Sequence, residues 1–321
     1  MLSKKSMRKK NRTPNTFSVW FLIGFALVMM TAAGCATWDD RDPRPPKLSL
    51  PEFSDGGLSK KVALSLFDNR TQLRFGEIEQ SFLRPLNDLV KKECPSTLFL
   101  TPDDPGFPEG LVDATLVREK GALDNMAIAQ TGRLAGFCAV LTGRLESISG
   151  FEREKGFWLF KSQQHYERVL IQVNMYASET GAKLLSEAYS REIEISDGEF
   201  QALQQGSVEN SPTVMGALEE LAEDIADDVC ELLDETPWIG FVTRVDNDTV
   251  TLSSGADAGL TPGIRLELYN SDRIFKTRRG RFFVPGTKTG EIEITAVNPH
   301  SARAILLPDS KAGAGYAVRV R

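Results

Sequence analysis

Four arginines and a lysine crowd one short stretch of an otherwise acidic chain. Arg273, Lys276, Arg278, Arg279 and Arg281 fall within nine residues, interleaved with Phe275, Phe282 and Phe283. A guanidinium offers a planar fork of donors that fits carboxylates and phosphates. The run therefore reads as a contact for an anionic partner, such as peptidoglycan carboxylates, lipid phosphates or an acidic protein face. The competing reading is a solvated hairpin whose phenylalanines pack a small barrel. A second cluster, Phe157, Trp158, Leu159 and Phe160 with Phe151 nearby, is either core or an apolar partner patch. Glu152, Arg153, Glu154, Lys155 and Lys161 crowd that segment, which argues against a membrane-spanning strand of about 10 alternating residues.

Groups that would do covalent chemistry are scarce. The chain has two histidines, His165 and His300, so His-based catalysis has few places to exist. There is no G-x-S-x-G elbow and no G-x-x-x-x-G-K phosphate loop. Gly313-Ala314-Gly315 precedes a strand-like end, not the helix that a dinucleotide turn requires. The acids Glu219, Glu220, Glu223, Asp224, Asp227, Asp228 and Glu231 lie mainly opposite the apolar stripe of their helix and read as its solvated face. Asp103, Asp104, Glu109 and Asp113 lack calcium-loop spacing. The expectation is a protein without catalytic residues, metal or cofactor.

Cysteines supply the remaining candidate chemistry. Cys94, Cys138 and Cys230 show no CxxC or zinc-like spacing. Cys94 follows a helix and Cys138 precedes a strand, which makes them the candidate disulfide; Cys230 sits inside a helix. The alternative is three buried thiols.

The fourth cysteine, Cys35, carries the address. Six cations (Lys4, Lys5, Arg8, Lys9, Lys10, Arg12) precede an uncharged run from Phe17 to Gly34 that ends Ala32-Ala33-Gly34. This is the order of an export signal: basic, apolar, small. With Cys35 next, the segment resembles the lipobox of bacterial lipoproteins, although Ala32 stands where Leu is commonest. The resemblance implies cleavage after residue 34, acylation of Cys35 and a membrane anchor through it. An uncleaved signal anchor is the alternative, since the run is just long enough to span. Ala36 and Thr37 follow, with no Asp of the inner-membrane retention type, so the outer membrane, periplasmic face, is expected. The formal charge of −6 becomes −12 once those six cations are removed, which disfavours nucleic acid as a partner. Residues 35–59 hold Pro43, Pro45, Pro46 and Pro51 among charges and read as a semi-rigid tether.

The elements that must position these groups follow from periodicity. Val62–Phe67 and Thr97–Leu100 read as short strands, and Glu77–Glu93 as a helix bent at Pro85. Asn125–Ala135 is a helix capped by Asp124 and stopped by Gly136. Ala139–Ile148 is a strand, and Val169–Tyr176 returns through a Ser178–Gly181 turn to Lys183–Ile195. Pro212–Leu233 is a helix capped by Ser211, with Val214, Leu218, Leu221, Ile225, Val229 and Leu232 in one stripe. Beyond Asp234-Glu235-Thr236-Pro237 only short strands appear: 239–245, 249–252, 264–269, 281–284, 291–297, 302–306 and 317–320. They suggest a small closed barrel. Hence residues 60–235 form an α/β (α+β) layered domain and 236–321 an all-β barrel.

Two sets of motifs carry a resemblance. Val62-Ala63-Leu64-Ser65-Leu66-Phe67-Asp68-Asn69, then Leu134 through Gly143, and the Glu179-Thr180-Gly181 turn resemble the periplasmic superfamily of the curli secretion lipoprotein and the N-terminal domain of TolB. Val242–Leu252 and Gly255-Ala256-Asp257-Ala258-Gly259-Leu260-Thr261-Pro262-Gly263 resemble the C-terminal domain of flagellar assembly protein T. The implied folds are anticodon-binding-like for the first domain and SH3-like for the barrel. The implied task is scaffolding in an envelope or surface-appendage machine, with other envelope proteins or peptidoglycan as partners and oligomers allowed. A regulator of peptidoglycan synthesis and a ring-forming secretion channel subunit are the alternatives. The Gly255, Gly259, Gly263 spacing reads as a barrel-closing turn in which glycine supplies positive φ.

Overall fold

The structure is a computed structural model, and it describes residues 57–105, 107–111, 123–156, 162–206, 211–278 and 280–321. Cys35, Phe157, Trp158, Phe160 and Arg279 lie outside the described residues.

The described residues form one compact unit. Its first part is a five-stranded sheet in the order β2-β1-β3-β4-β5: β1 (Lys60–Asn69), β2 (Thr97–Leu100), β3 (Ala139–Lys155), β4 (Ser162–Ala177) and β5 (Lys183–Ile195). β1 is parallel to β2 and β3; β3, β4 and β5 are antiparallel. The parallel strands are joined by helices because a crossover needs that length. Between β1 and β2 run α1 (Phe75–Ile78), a π turn (Glu79–Leu83) and α2 (Arg84–Glu93). The expected bend at Pro85 is a π turn placed just before it. Pro85 sits in the first turn of α2, where its missing N–H costs least. α3 (Asn125–Ala135) links β2 to β3. Asp124 Oδ1 accepts from the Met126 and Ala127 amides at its start, and Gly136 at φ 76° ends it. Both caps are as expected.

β3 and β4 run well beyond the alternating stretches. Lys155 pairs with Ser162 at the far end of a long ribbon that β5 joins as far as Ile195. Charged, partly exposed residues there hid the strands from an alternation test. α4 (Asp197–Gln204) covers this extension through a capping box: Ser196 Oγ accepts from the Glu199 amide and Glu199 reaches back to the Ser196 amide. α4 buries no residue completely, which explains why no apolar stripe announced it. α5 (Pro212–Asp234) is the long helix expected, and its stripe packs on the sheet.

Residues beyond α5 build β6 (Gly240–Asp246), β7 (Thr249–Leu252), β8 (Arg265–Tyr269), β9 (Ile274–Lys276), β10 (Arg281–Phe283), β11 (Lys288–Val297), β12 (Ala302–Leu306) and β13 (Ala317–Val320). Six of these close a barrel in the order β11-β12-β7-β6-β13-β8, while β9 and β10 form a separate two-stranded ribbon. The strand expected at 281–284 therefore leaves the barrel. Barrel and sheet share a core: Ile239, Phe241 and Ala317 cluster with the sheet's apolar residues. Gly259 (φ 81°) and Gly263 (φ 90°) take the left-handed angles expected of them. Gly255 does not (φ −137°). It is small because a Cβ would sit 2.2 Å from Asn298 O.

The disulfide is Cys94–Cys230, with Cα atoms 5.5 Å apart. This corrects the expected Cys94–Cys138 pairing. α2 and α5 pack on the same side of the sheet, so Cys94 just past one helix meets Cys230 inside the other. Cys138 opens β3 beside β1, and its buried thiol donates to Lys61 O at 3.1 Å.

Candidate partner-binding ribbon

The β9–β10 ribbon carries the basic run. Its register sets Lys276 opposite Arg281, Phe275 opposite Phe282 and Ile274 opposite Phe283. Alternation then divides the two faces. Phe283 turns inward and is buried with Met126 and Ala129 of α3. Phe275 and Phe282 share the opposite face, and Phe275 is 60% exposed. Ile274 is 48% exposed. Arg273, Lys276, Arg278 and Arg281 are all exposed. Arg281 alone of these has a carboxylate within ion-pair reach among the described residues, Asp124 at 3.5 Å. The phenylalanines thus do not pack the barrel as a set: one anchors, one is half-buried and one faces water.

The base of the ribbon is held firmly. Asn125 Nδ2 donates to Arg281 O (2.6 Å) and to Gly181 O (3.0 Å). The Phe283 amide donates to Thr180 O at 2.9 Å. Beneath Phe283 lies Arg133 of α3, its guanidinium 3.6 Å from the ring centroid. Arg133 is only 5% exposed. It donates to Ser178 O (3.0 Å), Ser271 O (3.0 Å), Gly315 O (3.2 Å) and Glu179 O. One side chain therefore satisfies carbonyls of the β4–β5 turn, the loop after β8 and the loop before β13. Burial pushes its pKa down to about 10, still cationic at neutral pH. Arg319 of β13 adds a pair with Glu179 at 2.7 Å. Sequence reasoning missed this clasp, because Arg133 falls on an apparently ordinary amphipathic helix. The one available signal was a cation among Ala, Gly and Leu at a helix C-terminus.

A second polar group was also missed. Glu167 of β4 is 3% exposed, and its Oε1 has no hydrogen-bond partner. Burial, helped by the nearby Glu199, raises its pKa to about 7. His165, two residues earlier and so on the same face, stacks on Phe200 of α4 with centroids 4.2 Å apart. Its Nε2 lies 3.2 Å from Asp197, at the start of α4.

Elsewhere the chemistry is quiet. A cleft of about 370 Å³ opens where β1 and β2 end, lined by Ser65, Phe67, Glu79, Arg84, Thr101 and Asp103. The Ser65 hydroxyl donates to Leu111 O and Thr101 Oγ1 to Asp104 (2.8 Å). Arg84 is held by Glu79 at 2.7 Å. Lys61, Asp257 and His300 form a linked trio, with both contacts to Asp257 at 2.9 Å. Burial works to raise the Asp257 carboxyl, but the hydrogen bonds to His300 and Lys61, the Lys61 charge and the Gly255 amide together hold it below its ordinary value. This trio ties β1 to the Gly255–Gly259 turn. Among the described residues no group of three His, Cys, Asp or Glu is placed to hold a metal. The α5 acids are mostly exposed, and Glu220 and Asp224 pair with Arg191 of β5 at 3.0 and 2.8 Å.

No protein-family model matches the chain, and no curated protein matches it. Solved structures are similar in outline. A hypothetical protein, CT253 from Chlamydia trachomatis, aligns at 11% identity over 56% of this chain and 99% of its own, with a TM-score of 0.33. Lipoprotein GNA1162 from Neisseria meningitidis aligns at 13% over 46% and 95%, TM-score 0.26. TolB from Acinetobacter baumannii aligns at 11% over 79% and 62%, TM-score 0.27. These scores are too low to carry an argument about fold or task. The reading of function therefore rests on this chain's own residues.

Proposed function

We propose that the protein is a lipid-anchored lipoprotein of the bacterial outer membrane, facing the periplasm. It works as a non-catalytic scaffold in an envelope or surface-appendage machine. Residues 1–34 are its signal, 35–59 its tether, 60–235 its interaction domain and 236–321 its docking module. In this reading the sheet domain is anticodon-binding-like and the barrel SH3-like.

The observation that carries the reading is the ribbon. It sets exposed cations and an exposed phenylalanine on a rigid base, the arrangement of a contact surface. Cys35 after Ala32-Ala33-Gly34 supports the anchor. Holding such a surface on a bilayer through residues 35–59 places it where anionic groups are dense.

Crosslinking in intact cells followed by capture of the protein tests the scaffold role. Reproducible envelope partners are expected, and their capture should weaken in high salt and when Arg273, Lys276 and Arg278 become Gln, because those cations hold the body where its partners lie. Unchanged capture by that variant would remove the ribbon from the account.

A further inference from the structure

We infer that the β9–β10 ribbon is a second membrane contact, docking on the phosphate headgroups of an anionic bilayer. This deepens the reading above and rests on its claim that the chain is held at a membrane.

Three observations favour a lipid surface over other anions. The first is the pairing of chemistries. Phe275 and its register partner Phe282 share one face of the ribbon. Ile274 and Lys276 alternate onto the other face and are also exposed, and Arg273 and Arg278 are exposed just before and just after β9. Cations alone would serve a polysaccharide carboxylate; nothing in that ligand rewards an exposed phenylalanine and isoleucine. A bilayer interface rewards both, with phosphates for the cations and the acyl boundary for the apolar side chains.

The second is that the cations are available. Among the described residues, Arg273, Lys276 and Arg278 have no carboxylate in ion-pair contact, unlike Arg84, Arg144, Arg168, Arg191 and Arg319; exposed Lys91, Lys92, Arg303 and Lys311 have none either, but they are not gathered on one ribbon. In a chain this acidic, three cations left without carboxylates beside an apolar tip point to an external anion.

The third is where the tether joins. Leu58 packs in the barrel core beside Leu260, and the Ser59 amide donates to Ala258 O at 3.0 Å. The chain therefore enters the body at the barrel, and the ribbon is an excursion from that same barrel. Residues 36–56 number 21 and can span at most about 70 Å when fully extended. An anchor at Cys35 keeps the barrel within that distance of the headgroups.

Hydrogen exchange on the full chain, reconstituted in vesicles, tests this. The comparison is between vesicles of phosphatidylcholine alone and vesicles with a fifth of the lipid as phosphatidylglycerol. We expect amides of residues 273–283 to exchange several-fold more slowly on the anionic vesicles. The difference should fade in high salt. Each Arg or Lys changed to Gln (Arg273→Gln, Lys276→Gln, Arg278→Gln) should reduce the protection about fivefold. Phe275→Ser should reduce it while leaving the charge intact. Equal exchange on both vesicle types overturns the inference. Protection that grows with protein density and ignores phosphatidylglycerol also overturns it, and assigns the ribbon to a second copy. A chain that never floats with vesicles of either kind defeats the anchoring claim instead, so the two failures are separable.

Discussion

Glu167 shows how a single residue can set the pH behaviour of an element. It is a carboxyl sealed under α4 without a partner for one oxygen, and its folded pKa is raised to about 7. A raised carboxyl pKa means the folded state binds the proton better than the unfolded chain. That contribution is complete below about 4.5, the ordinary value, and is lost as pH climbs to about 7. Glu167→Gln should therefore be more stable than the parent at pH 8, by about 2–3 kcal/mol, and nearly equal to it at pH 4. Denaturant titrations at the two pH values read this directly; a constant difference would contradict the assignment. Arg133 makes the opposite case. Its loss strands buried carbonyls from three loops, so Arg133→Met should cost about 2–4 kcal/mol. The Asp124 cap was legible because it lies immediately before a periodic run. Neither Glu167 nor Arg133 was, because their meaning comes from partners far along the chain: Glu199 is 32 residues from Glu167, and Gly315 is 182 from Arg133.

At the scale of elements, the helices and short core strands were legible wherever burial imposed a period. α5 shows its stripe, and β1 its apolar run. Strands that leave the core lost that signal: the outer halves of β3 and β4 and the three-residue β9 carry charges on exposed faces. α4 failed for a related reason, as it lies against the outer parts of β3 and β4 and buries none of its own residues completely. Close approaches between elements are equally invisible in sequence. Gly136 ends α3, and a Cβ there would lie 2.0 Å from Ser253 O in the barrel. Its φ of 76° adds to the cost. Gly136→Ala should therefore destabilise by about 2–4 kcal/mol. Its thermal unfolding should report the loss as a clear fall in Tm. Gly57→Ala is the control: it also has positive φ (77°) but meets nothing within 4 Å, so only the smaller conformational cost should appear.

Across the whole molecule, sheet and barrel behave as one body pinned from three sides. They share Phe241 and Ala317 in a common core. Arg133 bonds to loops of both, and the ribbon from the barrel lies back on α3. The Cys94–Cys230 bridge closes a loop of 136 residues within the sheet domain. Replacing both cysteines with Ser should cost roughly 2–5 kcal/mol under oxidising conditions. Under a reductant, parent and variant should converge. The pairing was missed because Cys230 sits inside a helix far along the chain, and only the packing of α2 on α5 brings it to Cys94. Helical periodicity ends at Pro237, and the strands of the closed barrel all lie beyond it.

The central claim is that this body is held at a bilayer by an acyl group on Cys35 and acts by contact. The most direct measurement is mass spectrometry of the N-terminal peptide of the protein purified from bacterial membranes. The account predicts a mature chain that begins at Cys35 and carries acyl groups on it, with that form absent from a Cys35→Ser variant. A chain that still bears residues 1–34, with an unmodified thiol at Cys35, would contradict it.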